Sequence, residues 1–351
     1  MYRPKPGIAL LFSLWMPALF LAQPALLLAQ PEVSRGDLRL MWYNVENLFH
    51  PSDDSLAGDD EFTPEGERHW TYSRYRQKLT GVAQVIVAAG RWDPPEVVGL
   101  GEVENAQVLE DLVSHPILEP YHYSYLHREG PDHRGMDVAC LFRDRRFKPV
   151  GWRAMPPVVS GAFGDTREMV YVRGVWGRRD TLDLFLVHFI SRYGGSGATA
   201  DYRKMQAARL VHLADSVHLA DSVRRAGYAG LMVMAGDFNE PWDGYSLEPL
   251  RNSLVGGDTV APVSPEGPWT SYKYRGIWSG IDQFLIAGGG DRYRIKGSVL
   301  HLPVLLTSDE TYGGVKPFRT YVGYRYAGGV SDHLPILLDI SRPLFSTYSE
   351  R

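Results

Sequence analysis

An apolar segment that ends abruptly in polar residues constrains this chain most. Residues 231–235 read Leu-Met-Val-Met-Ala and are followed directly by Gly236, Asp237, Phe238 and Asn239. An unbroken apolar run of this kind predicts a strand that is buried on both faces. Side chains two residues apart lie on the same side of a strand, so Asp237 and Asn239 are expected to converge at its C-terminal end. A carboxylate that orients water or metal, beside an amide that holds an anionic oxygen, suits phosphoryl transfer; an Asx turn is the structural alternative.

The composition is that of a soluble globular protein, with 351 residues of which 44% are hydrophobic and 22% are charged. The net charge is −4, whereas proteins that hold nucleic acid by bulk electrostatics are normally basic. Any recognition of phosphate therefore has to be local. The single cysteine, Cys140, lies in an apolar run, which excludes an intramolecular disulfide and disfavours a thiolate nucleophile or metal site.

The N-terminus has the pattern of a secretory signal. Two basic residues precede an apolar stretch at residues 7–22, and a second apolar stretch follows at 25–29. This pattern predicts a signal peptide over residues 1–30, cleaved near Ala22 or Ala29, and export to the periplasm or the medium. An uncleaved membrane anchor is the alternative, which the prolines within the segment disfavour. After removal of the signal we expect no stable membrane association and no obligate protein partner.

Periodicity in the remaining chain predicts a single domain over residues 31–351. Strands are predicted at 38–44, 97–102, 121–127, 136–143, 168–176, 181–188, 231–235 and 334–340, and helices at 74–89, 106–113 and 199–225. Residues 267–278 and 281–286 are predicted to form an antiparallel pair joined near Gly280. No internal linker is evident, and the candidate polar groups are spread from residue 44 to residue 333, so both halves have to fold together to build one site.

Polar side chains recur at the ends of these strands. At C-terminal ends stand Asn44, Glu102, His188, Asp237 and Asn239, and at strand entries stand Asp282 and His333. In stacked sheets such ends meet at one rim, so we expect these side chains to share one site.

Six short motifs in this order resemble the endonuclease/exonuclease/phosphatase superfamily. They are Asn44, Leu100-Gly101-Glu102, His188-Phe189-Ile190-Ser191-Arg192, Gly236-Asp237-Phe238-Asn239, Ile281-Asp282 and Ser331-Asp332-His333. The superfamily includes pancreatic-type deoxyribonucleases, abasic-site endonucleases, inositol polyphosphate 5-phosphatases and neutral sphingomyelinases. The motifs span nearly the whole chain after the signal and are most similar to those of secreted bacterial members.

The resemblance implies a fold and a chemistry. The fold is an α/β (α+β) four-layer sandwich, in which two mostly antiparallel β-sheets are flanked by helices. The chemistry is metal-dependent hydrolysis of a phosphoester, with Mg²⁺ as the usual ion and Mn²⁺ as a possible one. The resemblance makes Glu102 the principal metal ligand, with Asn44 beside it and Asp332 as a second ligand; such oxygen donors suit these ions better than zinc.

The resemblance also implies catalytic roles. Asp237 would orient the attacking water, and Asn239 would hold a phosphate oxygen. His333, paired with Asp282, would face the phosphate in its charged form. His188 would act across the scissile group and protonate the leaving oxygen, with no covalent intermediate.

One motif departs from the pattern of the superfamily. Phe189 and Ile190 stand where many relatives have Trp-Pro, whereas Ser191 and Arg192 are kept. Arg192 is expected to clamp a phosphate oxygen. We expect this departure to affect the details of substrate binding and not whether the protein is active.

Several assignments have structural alternatives. Glu104 competes with Glu102 as the metal ligand, and either glutamate or Asn105 could simply cap the following helix. Asp132 and Asp137 are candidates for orienting His188 or are ordinary surface acids. The aromatic and basic stretches at 272–275 and 312–326 could stack on bases or sugars or could be ordinary hairpin packing.

The leading functional hypothesis is an exported, metal-dependent phosphodiesterase that cleaves nucleic acid as an endonuclease, by in-line attack of an activated water. A second hypothesis keeps the chemistry and changes the substrate to a phospholipid head group, an inositol phosphate or another phosphomonoester. The third is a non-catalytic binding module on the same fold, which would lack a member of the set Glu102, Asp237 and His333; none is missing.

Overall fold

The computed structural model describes residues 38–52, 58–157, 166–177, 180–192, 197, 199–224, 230–263, 269–289 and 292–343. The predicted signal over residues 1–30, with its cleavage positions, lies outside these ranges. All described residues belong to one compact unit. None of the helices within them is both long enough and apolar enough to span a membrane.

The described helices are α1 (Tyr72–Ala89), α2 (Ala106–Val113), α3 (Ala200–Arg224) and α4 (Glu248–Arg251). The strands of the first part of the chain are β1 (Leu38–Leu48), β2 (Val97–Val103), β3 (Tyr123–Leu126), β4 (Asp137–Arg143), β5 (Phe147–Met155), β6 (Met169–Trp176), β7 (Asp180–His188) and β8 (Leu231–Asp237). The later strands are β9 (Leu254–Val255), β10 (Asp258–Thr259), β11 (Ala261–Pro262), β12 (Tyr272–Tyr274), β13 (Ile277–Ser279), β14 (Asp282–Ala287), β15 (Arg294–Val299), β16 (Leu306–Ser308), β17 (Val315–Pro317), β18 (Tyr321–Val322), β19 (Arg325–Tyr326) and β20 (Ile336–Ser341).

Most described strands belong to two six-stranded sheets. The first sheet has the order β15-β20-β1-β2-β4-β3, and the second has the order β11-β14-β8-β7-β6-β5. Only β1 with β2 and β7 with β8 are parallel neighbours in these sheets, and the other neighbours are antiparallel. This arrangement confirms the predicted fold class.

Alternation along β1 explains how the first sheet is buried on both faces. Leu40 and Trp42 point into the core between the two sheets. Met41 and Tyr43 point to the opposite face, where they share a core with residues of α1 such as Val82. Because side chains alternate along a strand, a continuous apolar run serves both layers.

The same alternation holds for β8 at the centre of the second sheet. Val233 lies in the core between the sheets, whereas Met232 and Met234 lie in the core that Leu210 of α3 shares. The order of layers is therefore helix, sheet, sheet, helix, and the apolar segment at 231–235 is buried as predicted.

The predicted pairing of residues 267–278 with 281–286 is wrong. Residues of β12 instead pair with β13 in a short hairpin, and β14 pairs with β8 in the second sheet. Arg275 and Gly276, with φ of 48° and 83°, form a two-residue turn that closes the hairpin before Gly280 is reached. The edge strand β5 also went unpredicted, because most of its side chains are partly or fully exposed and give no clear apolar pattern.

Candidate active site

Strand register brings the predicted site residues together. The parallel pairing of β7 with β8 sets His188 opposite Asp237, and the antiparallel pairing of β8 with β14 sets Asp237 opposite Asp282. These three side chains therefore stand in one row across the second sheet. In the first sheet Asn44 pairs with Gly101, directly before Glu102.

The sequence suggested that Asn44 and Glu102 end their strands, but both strands continue beyond these residues. They lie at a register shift, after which β1 and β2 pair again. Glu46, Asn47 and Glu102 have positive φ values of 52°, 53° and 65°, which non-glycine residues rarely adopt. The bulge turns Glu102 so that its Oε2 accepts a hydrogen bond of 2.8 Å from the backbone of Asn47.

One carboxylate lies at the centre of the site. Asp237 Oδ2 is 3.6 Å from Nε2 of His188, 3.8 Å from Nε2 of His333 and 3.3 Å from Nδ2 of Asn44. The other oxygen, Oδ1, accepts a hydrogen bond of 2.8 Å from the backbone of Asn239. Burial, and then the nearby charge of Asp282, raise the pKa of Asp237 to about 7.

The expected contact between His333 and Asp282 is present. Nδ1 of His333 is 2.7 Å from Oδ2 of Asp282, which also accepts a hydrogen bond from the hydroxyl of Ser271 at 2.6 Å. Oδ1 of Asp282 accepts from the indole N–H of Trp42 at 2.9 Å. These bonds fix the carboxylate, which in turn fixes the imidazole.

The two histidines of the site have opposite electrostatic surroundings. Burial disfavours the charged form of His333, but Asp282, Asp237 and Asp332 outweigh burial and raise its pKa well above the usual value. Burial lowers the pKa of His188 well below the usual value, and the positive charge of Arg167 lowers it further. His333 is therefore the charged imidazole and His188 the neutral one, which makes His188 a poor source of a proton.

The surroundings of His188 also differ from the alternatives that the sequence left open. Its Nδ1 is buried and has no hydrogen-bond partner among the described residues. Asp132 is instead paired with Arg134 and Arg167, at 3.5 and 3.6 Å, and Asp137 is paired with another histidine. Neither aspartate hydrogen-bonds to His188.

Glu102 and Asp332 are the acids best placed to receive a cation from solvent. Their side chains are 17% and 19% exposed, whereas those of Asp237 and Asp282 are 2% and 1% exposed. Oε1 of Glu102 accepts from Asn44 at 3.1 Å, and Asp332 is paired with Arg319. Carboxylate oxygens crowded against other acids fit a hard divalent cation, because such an ion offsets their mutual repulsion.

The expected role of Asn44 as a metal ligand does not agree with its orientation. Its Oδ1 accepts a hydrogen bond of 3.0 Å from the backbone of Glu46, so its NH₂ group faces Glu102 and Asp237. Direct coordination would require the amide to rotate and lose that bond. As it stands, Asn44 bridges the two carboxylates.

A second group of potential ligands consists of Asp237, Asp282 and His333, whose donor atoms lie within 4.8 Å of one another. Asp282 already accepts hydrogen bonds from Trp42 and Ser271 and contacts His333. We therefore interpret this group as a hydrogen-bonded network, beside which Glu102 and Asp332 offer the more exposed oxygens.

The choice between Glu102 and Glu104 is clear from their contacts. Glu104 is buried, and its Oε2 accepts from the backbone of His50 at 2.5 Å. Asn105 caps α2, since its side chain accepts from the backbone of Val108 at 3.0 Å. Only Glu102 faces the other site residues.

The two residues expected to hold phosphate oxygens are both tied to the backbone. Nδ2 of Asn239 donates to the carbonyl of Phe189 at 3.0 Å, and Nε of Arg192 donates to the carbonyl of Asn239 at 2.7 Å. One N–H of the Asn239 amide remains for a ligand. The side chain of Arg192 is 40% exposed, so its guanidinium can still reach an anion.

Sequence reasoning missed residues that position the site. Ser331 accepts from the backbone of His333 at 3.0 Å and donates to the carbonyl of Asn44 at 2.6 Å. The fully buried Lys78 of α1 donates to the carbonyl of Glu46 and to Thr320. In the sequence, Lys78 lies on the apolar face of the helix predicted at residues 74–89, and this unusual position is the signal that could have revealed its role.

A sequence profile identifies the family of this chain. The chain matches the profile described as Endonuclease/Exonuclease/phosphatase family over residues 39–342. The chain belongs to this family. The predicted superfamily is thereby confirmed, and so is the predicted class of enzyme, a metal-dependent phosphoesterase.

Solved structures share the fold of the family at low sequence identity. D. rerio TDP2 complexed with single strand DNA product is 13% identical, with 87% of this chain and 99% of that chain covered and a TM-score of 0.50. The human nocturnin catalytic domain with bound sulfate is 14% identical (89% and 96% covered, TM-score 0.53). An endonuclease/exonuclease/phosphatase from Bacteroides vulgatus is also 14% identical (88% and 99% covered, TM-score 0.51). No curated protein sequence matches the chain.

Replacing Asp282 by Asn should lower the pKa of His333, because the carboxylate that favours the charged imidazole is lost while the side chain keeps its shape. Titration of the histidine Cε1–H signals by NMR measures the shift. Asp183→Asn, which removes a buried aspartate paired with Arg173, is the matched control and should leave the pKa of His333 unchanged. An unchanged pKa in Asp282→Asn would show that this pair does not set the charge of His333.

Proposed function

We propose that this protein is an exported, Mg²⁺-dependent phosphodiesterase that cleaves nucleic acid as an endonuclease. One observation carries the proposal: a single buried oxygen, Asp237 Oδ2, faces a charged imidazole and a neutral one at 3.8 and 3.6 Å. A water molecule and a phosphoryl group placed there would meet a proton acceptor and two hydrogen-bond donors together.

Asp237 orients the attacking water in this proposal. Its Oδ1 is held by the backbone N–H of Asn239, and Oδ2, which accepts from Asn44 at 3.3 Å, has a second lone pair for the water. As the carboxylate in contact with that water, Asp237 accepts its proton, and burial, which raises the pKa of Asp237, makes it a stronger base than an exposed carboxylate. The displacement is in line, with no covalent intermediate.

His333 and His188 divide the remaining work. His333 carries its charge close to the phosphate, because Asp282 holds its Nδ1, and its Nε2–H stabilises the charge that develops there. We assign protonation of the leaving oxygen to His333 rather than to the neutral His188. His188 donates a hydrogen bond to a phosphoryl oxygen, and Asn239 and Arg192 hold others.

Glu102 and Asp332 would hold the divalent metal, with Mg²⁺ as the proposed ion and Mn²⁺ as the possible substitute. When bound, the ion supplies positive charge to the phosphoryl oxygens and to the leaving group. Asn44 hydrogen-bonds to both Glu102 and Asp237, so the proposed metal ligand and the carboxylate that orients the water are held at a fixed distance from each other.

Nucleic acid is the proposed substrate for two reasons. The family contains proteins that act on nucleic acid, and the D. rerio TDP2 structure that shares this fold holds a single-strand DNA product. The chain as a whole is acidic, so recognition has to come from groups close to the site.

The catalytic proposal predicts that residues 31–351 hydrolyse plasmid DNA or RNA, and bis(p-nitrophenyl) phosphate, with Mg²⁺ and not with EDTA. His333→Ala should lower kcat by about 10²- to 10⁴-fold, because it removes both the charge and the proton donor. His212→Ala, at an exposed position of α3, is the control and should leave kcat unchanged. Equal turnover by wild type and His333→Ala, at equal melting temperature, would contradict the proposal.

Export rests on the pattern of residues 1–30. Expression of the full chain in a bacterial host that secretes proteins should yield a mature protein outside the cytoplasm, beginning at residue 23 or residue 30. Mass spectrometry of its N-terminal peptide checks this. A full-length protein that keeps Met1 in the cytoplasmic fraction would exclude a cleaved signal.

A further inference from the structure

The short hairpin β12–β13 is attached directly to the proposed active site. Tyr272 forms an isolated antiparallel bridge with His333, and the backbone of Leu334 donates to the carbonyl of Ser271 at 2.7 Å. The rings of Tyr272 and His333 lie 4.8 Å apart at an angle of 37°. The aromatic surface that begins at Tyr272 is thus continuous with a residue of the site.

The two faces of this hairpin have different environments. One face carries Lys273 and Trp278, and Lys273 is anchored by the buried Asp309 at 2.8 Å. The other face carries Tyr272 and, two residues on, Tyr274. The first face holds the hairpin in place, and the second is left for a ligand.

Exposed side chains are concentrated at the tip of the hairpin. Tyr274 is 59% exposed and its cross-strand partner Ile277 is 72% exposed. The turn at Gly276 packs against Tyr312, which is 55% exposed. A scattered exposed aromatic needs no explanation, but a contiguous group beside a site indicates an interaction surface.

The local charge of the hairpin is opposite to that of the whole protein. Residues 271–280 contain two basic residues and no acidic residue, whereas the chain has a net charge of −4. Lys273 is used by Asp309, and the guanidinium of Arg275 lies 5.3 Å from the ring centre of Tyr274. An exposed tyrosine with an arginine over its ring suits a ligand that has both flat rings and negative charge.

The spacing of the tyrosines restricts the form of that ligand. Residues two apart on a strand are separated by about 6.6 Å, which is about twice the 3.4 Å that separates stacked bases along one strand of a duplex. Two rings at this spacing leave room for one base between them, which an unpaired base of a single strand can supply and the continuous stack of a duplex cannot.

We propose that Tyr272, Tyr274 and Arg275, here called the aromatic platform, bind unpaired bases of a single-stranded nucleic acid on the His333 side of the scissile phosphate. This inference rests on the proposed function and adds a preference for single-stranded substrate. Ile277 lies beside the platform and is also exposed, but the platform itself offers two aromatic rings and a guanidinium, which favour nucleic acid over a lipid surface.

The test uses a fluorescent single-stranded oligonucleotide and a matched duplex, with fluorescence anisotropy in Mg²⁺. Binding is measured in an Asp237→Asn background, which keeps the probe intact under the proposed mechanism. Tyr274→Ala should weaken binding of the single strand by about 5- to 100-fold, because stacking on one aromatic side chain is lost. Tyr274→Phe, which keeps the ring, should retain binding.

A matched control is Trp92→Ala. Trp92 is 82% exposed and precedes β2, whereas the site lies at the other end of that strand, so its removal should not change binding. With wild-type Asp237, Tyr274→Ala should raise KM for the oligonucleotide and leave kcat/KM for bis(p-nitrophenyl) phosphate unchanged, because the small diester does not extend from the site as far as Tyr274 at the tip of the hairpin.

The outcomes separate this inference from the proposed function. Nuclease activity with the same oligonucleotide affinity in Tyr274→Ala and in its parent would overturn the platform and leave the nuclease intact. Binding that depends on Tyr274, without cleavage of any nucleic acid, would support the platform and contradict the nuclease. Binding of anionic phospholipid vesicles that depends on Tyr274, without binding of the oligonucleotide, would overturn the platform in favour of a membrane surface.

Discussion

The site depends most on the contacts that the carboxylate of Asp282 makes with its neighbours. This carboxylate stands on β14 of the second sheet and accepts a hydrogen bond from Trp42, which lies on β1 of the first sheet. The same carboxylate contacts His333 and Ser271, which come from two further segments. A buried carboxylate is stable only when its oxygens are fully hydrogen-bonded, and here the partners that satisfy it are the groups that have to be aligned. The packing of the two sheets therefore also fixes the geometry of the site.

From this contact follows the division of charge across the site. Asp282 keeps His333 charged, whereas His188, on the other side of Asp237, is buried, has no acidic hydrogen-bond partner in the part of the chain that the structure describes, and stays neutral. Two imidazoles at similar distances from one carboxylate oxygen can therefore act differently. The raised pKa of Asp237 reflects burial and crowding of acids, which a divalent cation at Glu102 would relieve.

The sequence predicted the fold class and the convergence of the site, because both depend on periodicity and on polar residues that follow apolar runs. Asp237, after its buried strand, shows this well. The sequence did not predict the orientation of Asn44, because that orientation depends on a bulge with positive φ values at Glu46 and Asn47. Nor could it reveal the indole of Trp42 as a partner of Asp282, because an inward-facing tryptophan reads only as core. The hairpin at β12–β13 was missed because its turn, Arg275-Gly276, was outweighed by the apolar run that follows Gly280.

The most direct test of this account is the origin of the oxygen that attacks phosphorus. Single-turnover hydrolysis of bis(p-nitrophenyl) phosphate in ¹⁸O-labelled water, with enzyme in excess and with Mg²⁺, is followed by mass spectrometry of the p-nitrophenyl phosphate formed. If Asp237 orients a water that attacks directly, the product of the first turnover carries one ¹⁸O atom. An unlabelled product would show that the oxygen added to phosphorus did not come from water, as when a protein carboxylate attacks first and its own C–O bond is cleaved to release the product, and would contradict direct hydrolysis at this site.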